Sequence, residues 1–424
     1  MMNPSDQLLT YALPNLPRKD ANGPMTGIER AVCELLHDPP LMASGRSSAT
    51  HVRVEPFDER SWIAIPEDEL GVEYVAAAED DFPRGRWGRV LSKTMSGSLR
   101  FTLAHPDMVT SIFTSDLTLH INGSGYWYPA VKGRGRFEVD ANDEASLILK
   151  SNQITSAPHQ FSTIRLVQLS TRAELLKHLA AETVHIAALQ TNEYVDESKY
   201  LMRHGDTANV SLLRRGIDSA LTTAEAWALS CAIPRDSFAQ QFCFQGIGAT
   251  CTLSPTTVIA TDKCEPNDLP KSASMMVQPT ARATRCGRWL ADTLRERVGI
   301  NLDVVVPDWH TYWHGVTRGI GADLIWCGAY AHSNTLWAWV GENILDWMLP
   351  ESVARKYWEF VEERNYAEGA LAEIESRAIR AGWIIPIYRH HAVFAVNRHV
   401  AGLDVQLDDW PAPALKRIEA LSWT

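Results

Sequence analysis

Apolar and polar positions alternate so as to divide most of this chain into short helical and extended segments with recognisable ends. Thr171 to Glu174 (TRAE) has the spacing in which an N-cap hydroxyl and a carboxylate three residues on satisfy each other's backbone amides. Leu175, Leu176 and Leu179 follow as an apolar stripe at helical spacing, and TVHIAAL (residues 183–189) then reads as a strand. Thr222 and Glu225 repeat the capping signature before AWALSCAI, a predicted helix with Trp227 and Cys231 one turn apart on its buried face. LDVVV (302–306) is a strand, Pro307 and Asp308 open a helix carrying Trp309 to Val316, and ADLIWC (322–327) is a second strand. Such a β-α-β crossover implies parallel neighbours with helices on their faces. Pro350 starts a helix through YWEFVEE, another runs from about Tyr366 to Ala381, Gly382 ends it, and WIIPIY (383–388) enters a buried strand. There is no internal repeat, low-complexity tract or long linker, so chain crossings must join the lobes.

Composition narrows the classes. The 424 residues, 45% apolar and 21% charged, favour two or three lobes over one core. A net charge of −11 and the lack of any run of five basic residues argue against nucleic-acid binding. No stretch reaches membrane-spanning length, and the start MMNPSDQLLTYALPNLPRKD has neither a basic region nor the apolar run of an export signal. The seven cysteines, Cys33, Cys231, Cys243, Cys251, Cys264, Cys286 and Cys327, are odd in number and form no CxxC pair. The expectation is a reduced, cytoplasmic protein whose thiols are small buried apolar groups.

Candidate chemistry gathers after the ADLIWC strand, because α/β sheets place ligands at the carboxyl ends of parallel strands. Trp326 and Cys327 end that strand, and in the loop 328–334 Tyr330, His332 and Asn334 offer a stacking face and hydrogen-bond donors. His310 and His314 lie four apart on the predicted helix, yet HExxH is not matched and no third ligand is evident, so no metal is assigned. His390 and His391 are adjacent and cannot share a strand face. The fifteen Trp residues serve mainly as packing. No GxSxG, P-loop or GxGxxG with a following acid is present; no catalytic residue and no cofactor is assigned, and the oligomeric state is left open.

Three stretches resemble the peptide and nickel class (family 5) of bacterial extracellular solute-binding proteins. GRGRFEV (133–139) is similar to that class's GTGPY-type turn, with Arg134 and Arg136 where it has Thr and Pro. AWALSCAIPRDSFAQQFCFQGIGATCTLSP (226–255) resembles its helix with an AIDR-type ending and the loop that follows. WIIPIYRHHAVFAVNRHVAGLDV (383–405) resembles its C-terminal strand pair. DWHTYWHGVTRGIGADLIWCGAYAHSNTLWAWV (308–340) is similar to the ligand-binding part of SgrR-type transcriptional regulators, whose N-terminal winged helix this chain does not show. Where peptide-binding relatives read WGADYPDP, with an acid that can hold a peptide's amino group, this chain reads CGAYAHSN.

The resemblance implies an α/β, two-lobed periplasmic-binding-protein-like (type II) fold with a small additional domain. Residues 1–30, 125–210 and 385–424 would form lobe one, 31–124 the additional domain, and 211–384 lobe two. It implies a cytosolic, SgrR-like solute-binding protein that closes on a small-molecule ligand. An enzyme on this fold and an ABC-transporter substrate-binding protein are the alternatives. Trp326, Cys327, Tyr330, His332, Asn334 and His310 would line one wall of the cleft. The turn with Arg134 and Arg136, suited to carboxylate or phosphate, would line the other.

Overall fold

The computed structural model describes residues 8–13, 16, 27–36, 51–58, 61–81, 88–94, 97–103, 119–121, 127–129, 136–143, 145–152, 161–169, 171–189, 195–243, 250–255, 257, 268–331, 335–403, 415, 418 and 421–423. The chain begins with β1 (Leu8–Leu13) and α1 (Gly27–Leu36), followed by β2 (Val52–Pro56), β3 (Ser61–Pro66), α2 (Glu69–Asp81), β4 (Gly88–Lys93) and β5 (Leu99–Leu103). Next come β6 (Leu119–Ile121), β7 (Trp127–Pro129), β8 (Phe137–Asn142), β9 (Ser146–Ser151), β10 (Thr163–Gln168), α3 (Arg172–Ala180), β11 (Ile186–Ala188) and β12 (Tyr200–Arg215). The second half holds α4 (Thr223–Ala232), α5 (Arg235–Phe242), β13 (Ser272–Met276), α6 (Ala281–Val298), β14 (Asn301–Val305), α7 (Trp309–Arg318) and β15 (Leu324–Tyr330). It closes with the π-helix α8 (Trp337–Met348), α9 (Glu351–Glu363), α10 (Glu368–Arg380), β16 (Ile384–Asn397), β17 (Val400–Ala401) and β18 (Ser422–Trp423).

Local rules fix many of these ends. Both capping boxes form: Thr171 accepts from the Glu174 amide and Thr222 from the Glu225 amide, and each glutamate returns to its cap residue's backbone. Asp308 caps α7 through the Thr311 amide at 2.9 Å. Leu175 and Leu179 are buried as the stripe requires. The reading of α4 is corrected in one respect: Ala226, Ala228, Leu229 and Ser230 are its buried residues, whereas Trp227 and Cys231 are only partly covered. Asn343 Nδ2 donates to the Ala338 carbonyl five residues back, at 3.1 Å, which suits the wider turn of α8.

A ten-stranded ladder runs β14-β13-β15-β12-β16-β11-β1-β10-β9-β8, because β12 and β16 belong to both halves of it. In the first lobe β11, β1 and β10 are parallel. Leu9, Tyr11 and Leu13 face one core with Phe394 and Val396, while Ala12, Ala187, Val393 and Ala395 face the other. Burial on both faces is what helix-covered parallel strands require. Helix α1 packs in this first lobe, with Ile28, Ala31, Val32 and Leu35 in its core. In the second lobe β14, β13 and β15 are parallel, with α7, α8 and α10 contributing to one core and α4, α5 and α6 to the other. The crossover read from the sequence is present with one correction: β13 lies between β14 and β15, so the two strands that α7 joins are parallel but not adjacent. Strands β2-β3-β5-β4 form a separate small sheet within the region expected for the additional domain.

Glycines at two helix ends offer a direct check of this packing. Gly382 follows α10 at φ 66°, and a Cβ there would lie 2.3 Å from the Ala226 Cβ, whereas Gly299 after α6 has φ 75° with nothing within 4 Å. Gly299→Ala is expected to cost only the left-handed conformation, roughly 1–2 kcal/mol. Gly382→Ala adds overpacking of about 1–3 kcal/mol. Urea unfolding of the two variants should show the larger loss at Gly382.

Candidate functional site

The site follows from strand direction. In the second lobe the carboxyl ends of β13, β14 and β15 are Met276, Val305 and Tyr330, and in the first lobe those of β1, β10 and β11 are Leu13, Gln168 and Ala188. Register shows both sets directed at the same crossing. Asn209 of β12 pairs with Tyr330, Val210 pairs with Arg389 of β16, and Asp206 pairs with His391 beyond the Ala188–Phe394 pair. Between the Asp206 and Val210 pairs, three residues of β12 stand against one of β16, a bulge that interrupts the ladder where the strands pass from lobe to lobe.

At the second-lobe end of the crossing, Ser211 Oγ is hydrogen-bonded to His390 Nε2 at 3.0 Å, and the His390 ring packs on Tyr388 with centroids 4.7 Å apart. Burial pushes His390 down to about 3, with the Arg282 charge acting in the same direction. Burial pushes Tyr388 up to about 12. On the opposite strand face Arg389 Nη2 donates to the Leu253 carbonyl, and its guanidinium lies 4.6 Å from the Trp339 ring centroid. Asn209 covers the exposed Gly328, where a Cβ would approach Asn209 Oδ1 to 3.2 Å. This edge can offer hydrogen-bond donors and acceptors to a solute.

The residues expected from the sequence fall into three groups. His310 is exposed in the first turn of α7, directly after the carboxyl end of β14, and Gly328 and the Tyr330 backbone lie at the crossing. Trp326 and Cys327 are core residues instead of lining groups. Trp326 is buried against Phe238 with centroids 5.6 Å apart, and its carbonyl accepts from Tyr312 Oη at 2.8 Å. Burial pushes the Cys327 thiol up to about 12, which makes it a poor nucleophile. Arg136 is buried where its carbonyl accepts from the Asn152 amide, just before β8. Strand β8 pairs with β9, and β9 with β10, so that Glu138, Lys150 and Thr163 are in line at the amino end of β10. Arg136 therefore sits at the end of the sheet remote from the crossing, away from the carboxyl end of β15. His332, Asn334, Arg134 and the side chain of Tyr330 lie outside what the structure describes.

Asn209, Ser211, Arg389 and His390 were not singled out as a site from the sequence. Their signal was the polar interruption of two otherwise apolar strands, HGDTAN in one and RHH in the other. Among the described residues no group of three His, Cys, Asp or Glu could hold a metal ion, and no helix is long and apolar enough to cross a membrane. Among the described residues the cysteines depart from expectation at Cys231, which is disulfide-bonded, while Cys243, Cys251, Cys286 and Cys327 are free.

Comparison with known structures supplies the class of fold. The chain is similar to the Helicobacter pylori periplasmic binding protein DppA in complex with the peptide STSA, with TM-score 0.74 and 12% identity over 98% of both chains. It is equally similar to Haemophilus influenzae OppA in complex with RPPGFSPFR, with TM-score 0.74 and 12% identity over 99% of both. A substrate-binding protein from Microbacterium hydrocarbonoxydans complexed with 4-hydroxybenzoate hydrazide gives TM-score 0.72 and 13% identity over 99% and 100% of the two chains. No protein-family profile and no curated protein sequence matches this chain. The fold is thus the two-lobed periplasmic-binding-protein fold, as the sequence resemblance implied.

Two measurements check this site. His390 is held below its ordinary range of about 6.5, so its contribution to stability is complete above that pH and is lost as the pH falls toward 3. His185, also depressed by burial, acts in the same sense. Urea midpoints across this window should fall with acid, and His390→Gln should flatten the slope. Alkylation of the unfolded, unreduced chain should modify Cys243, Cys251, Cys286 and Cys327 and spare Cys231; a labelled Cys231 would contradict the disulfide.

Proposed function

We propose that this protein is a solute-binding protein that takes a small ligand between its lobes and closes on it by bending at the β12–β16 crossing. The observation that carries this reading is the convergence of both lobes' parallel-strand carboxyl ends on one bulged crossing. Free backbone groups and helix starts gather at such ends, and two rigid bodies joined at a bulge can enclose a ligand with little internal rearrangement. Structures of the same fold hold peptides or an aromatic acyl hydrazide. The end of β15 and the residues that follow it read CGAYAHSN, without the acid that would pair with a peptide's ammonium group, and the Arg282 charge reaches the crossing at His390. A neutral or anionic small molecule therefore fits better than a free peptide N-terminus. The similarity of residues 308–340 to SgrR-type regulators supports a sensing role, and the fold neighbours support delivery to a transporter; binding precedes either.

Native mass spectrometry of gently isolated protein should show a stoichiometric small-molecule adduct. Gly328→Trp, which places bulk at the exposed edge of the crossing, should release it while leaving the circular dichroism spectrum intact. Calorimetry should favour 4-hydroxybenzoate hydrazide over Ser-Thr-Ser-Ala by about tenfold or more, or roughly 1.4 kcal/mol. Adduct-free protein that binds neither compound would contradict the reading.

A further inference from the structure

Arg389 is the last residue of β16 paired with β12 before the bulge. Its guanidinium turns inward, donating through Nη2 to the Leu253 carbonyl beneath the Trp339 ring. The same stretch of backbone is gripped from the other side. Glu375, in the middle of α10 and 0% exposed, accepts the Leu253 amide at 2.7 Å and the Ser254 amide at 2.8 Å, both through Oε1. Thr252 Oγ1 donates to the Ser254 carbonyl at 2.7 Å and Thr250 Oγ1 to the Thr252 carbonyl at 2.8 Å, so the segment is also braced internally. One peptide segment thereby joins α10, α8 and the strand that crosses between the lobes.

A carboxylate so completely buried is expensive unless amides and an opposite charge compensate it. Here burial pushes Glu375 up, while the Ser254 amide, the Thr257 side chain, the Leu253 amide and the Arg389 charge pull it back. The carboxylate acts on Arg389 through its field and through the shared Leu253 peptide. A core this deep has simpler ways to hold a loop, and opposite charges that grip one peptide beside the bulge fix its orientation as well as its position.

We propose that Glu375 is a positioning residue for the lobe crossing: by holding Leu253 and Ser254 and balancing Arg389, it fixes the second-lobe end of the bulge and so sets how readily the lobes turn. The inference rests on the reading of residues 206–210 and 389–391 as the pivot. Hydrogen exchange on the full chain, read by mass spectrometry for wild type, Glu375→Gln, Arg389→Met and the double variant, tests both separately. Glu375→Gln keeps an acceptor for the two amides and removes the charge. It should leave exchange at Leu253 and Ser254 unchanged while raising exchange at the pivot roughly threefold or more. In the Arg389→Met background the same substitution should add nothing, since its effect passes through Arg389. An unchanged pivot in Glu375→Gln, a change confined to residues 250–257, or an equal rise with and without Arg389 would overturn the proposal. A wild-type pivot that exchanges no faster than the flanking parts of β12 and β16 would sink the pivot reading alone, because the coupling between the two substitutions is scored independently. If Arg389→Met does not fold, Arg389→Lys, which loses the forked donor, takes its place.

Discussion

Two antiparallel strands that belong to both lobes at once constrain everything else in this structure. The main chains of β12 and β16 are paired from Tyr200–Asn397 at one end to Arg214–Ile384 at the other, with register shifts between Asp206 and Val210 and between Ser211 and Leu212. A backbone ladder of this length is stiff, and leaving buried amides unpaired is costly. Bending is cheapest where the ladder is most broken, at the bulge between Asp206 and Val210, where three residues stand against one. The crossing also sets direction: with β12 and β16 antiparallel to their neighbours β15 and β11, the parallel strands of both lobes must present their carboxyl ends to the same gap.

The lobes themselves are built to stay rigid. Each half of the ladder carries a buried core on both faces, and the second lobe adds polar ties inside its packing. Arg214 is buried and donates to the carbonyls of Met348 and Val316, joining the end of α8 to α7 behind β12. Arg235 donates to the Pro386 and Ser230 carbonyls, both at 2.8 Å, fastening α5 to β16. Asp323 accepts from the backbone amides of Ala220 and Ser274, tying the turn after β12 to β13. These charges have their donors and acceptors inside the lobe, which leaves the crossing as the place where polar groups meet the gap.

How much of this could be read from the sequence depended on the range of the interaction. The capping boxes at Thr171 and Thr222 and the left-handed Gly382 are local chemistry and were legible. The α/β class and the two-lobed fold followed from the order of segments. The insertion of β13 between β14 and β15 was not legible, because strand order within a parallel sheet is decided by packing over long sequence separations. The sixteen-residue β12 was hidden by its own polar stretch, HGDTAN, which looks like a loop but is the bulge. Trp326 and Cys327 look accessible at the end of a predicted strand, yet β15 runs on to Tyr330 and carries both into the core. The turn at Arg136 was assigned to the gap by analogy, and only the β8-β9-β10 meander reveals that it lies at the other end of the sheet.

Two rigid lobes that turn on a pivot at the bulge must change the distance between their outer faces. Double electron–electron resonance between nitroxides at the exposed Lys177 of α3 and Glu363 of α9 measures that motion directly, with Arg297 of α6 and Glu363 as a pair within the second lobe. The pair within the lobe should give a narrow distance distribution and the pair across the lobes a broad or two-peaked one, collapsing to its shorter component when ligand is bound. A cross-lobe distribution as narrow as the control, and unmoved by ligand, would contradict the pivot.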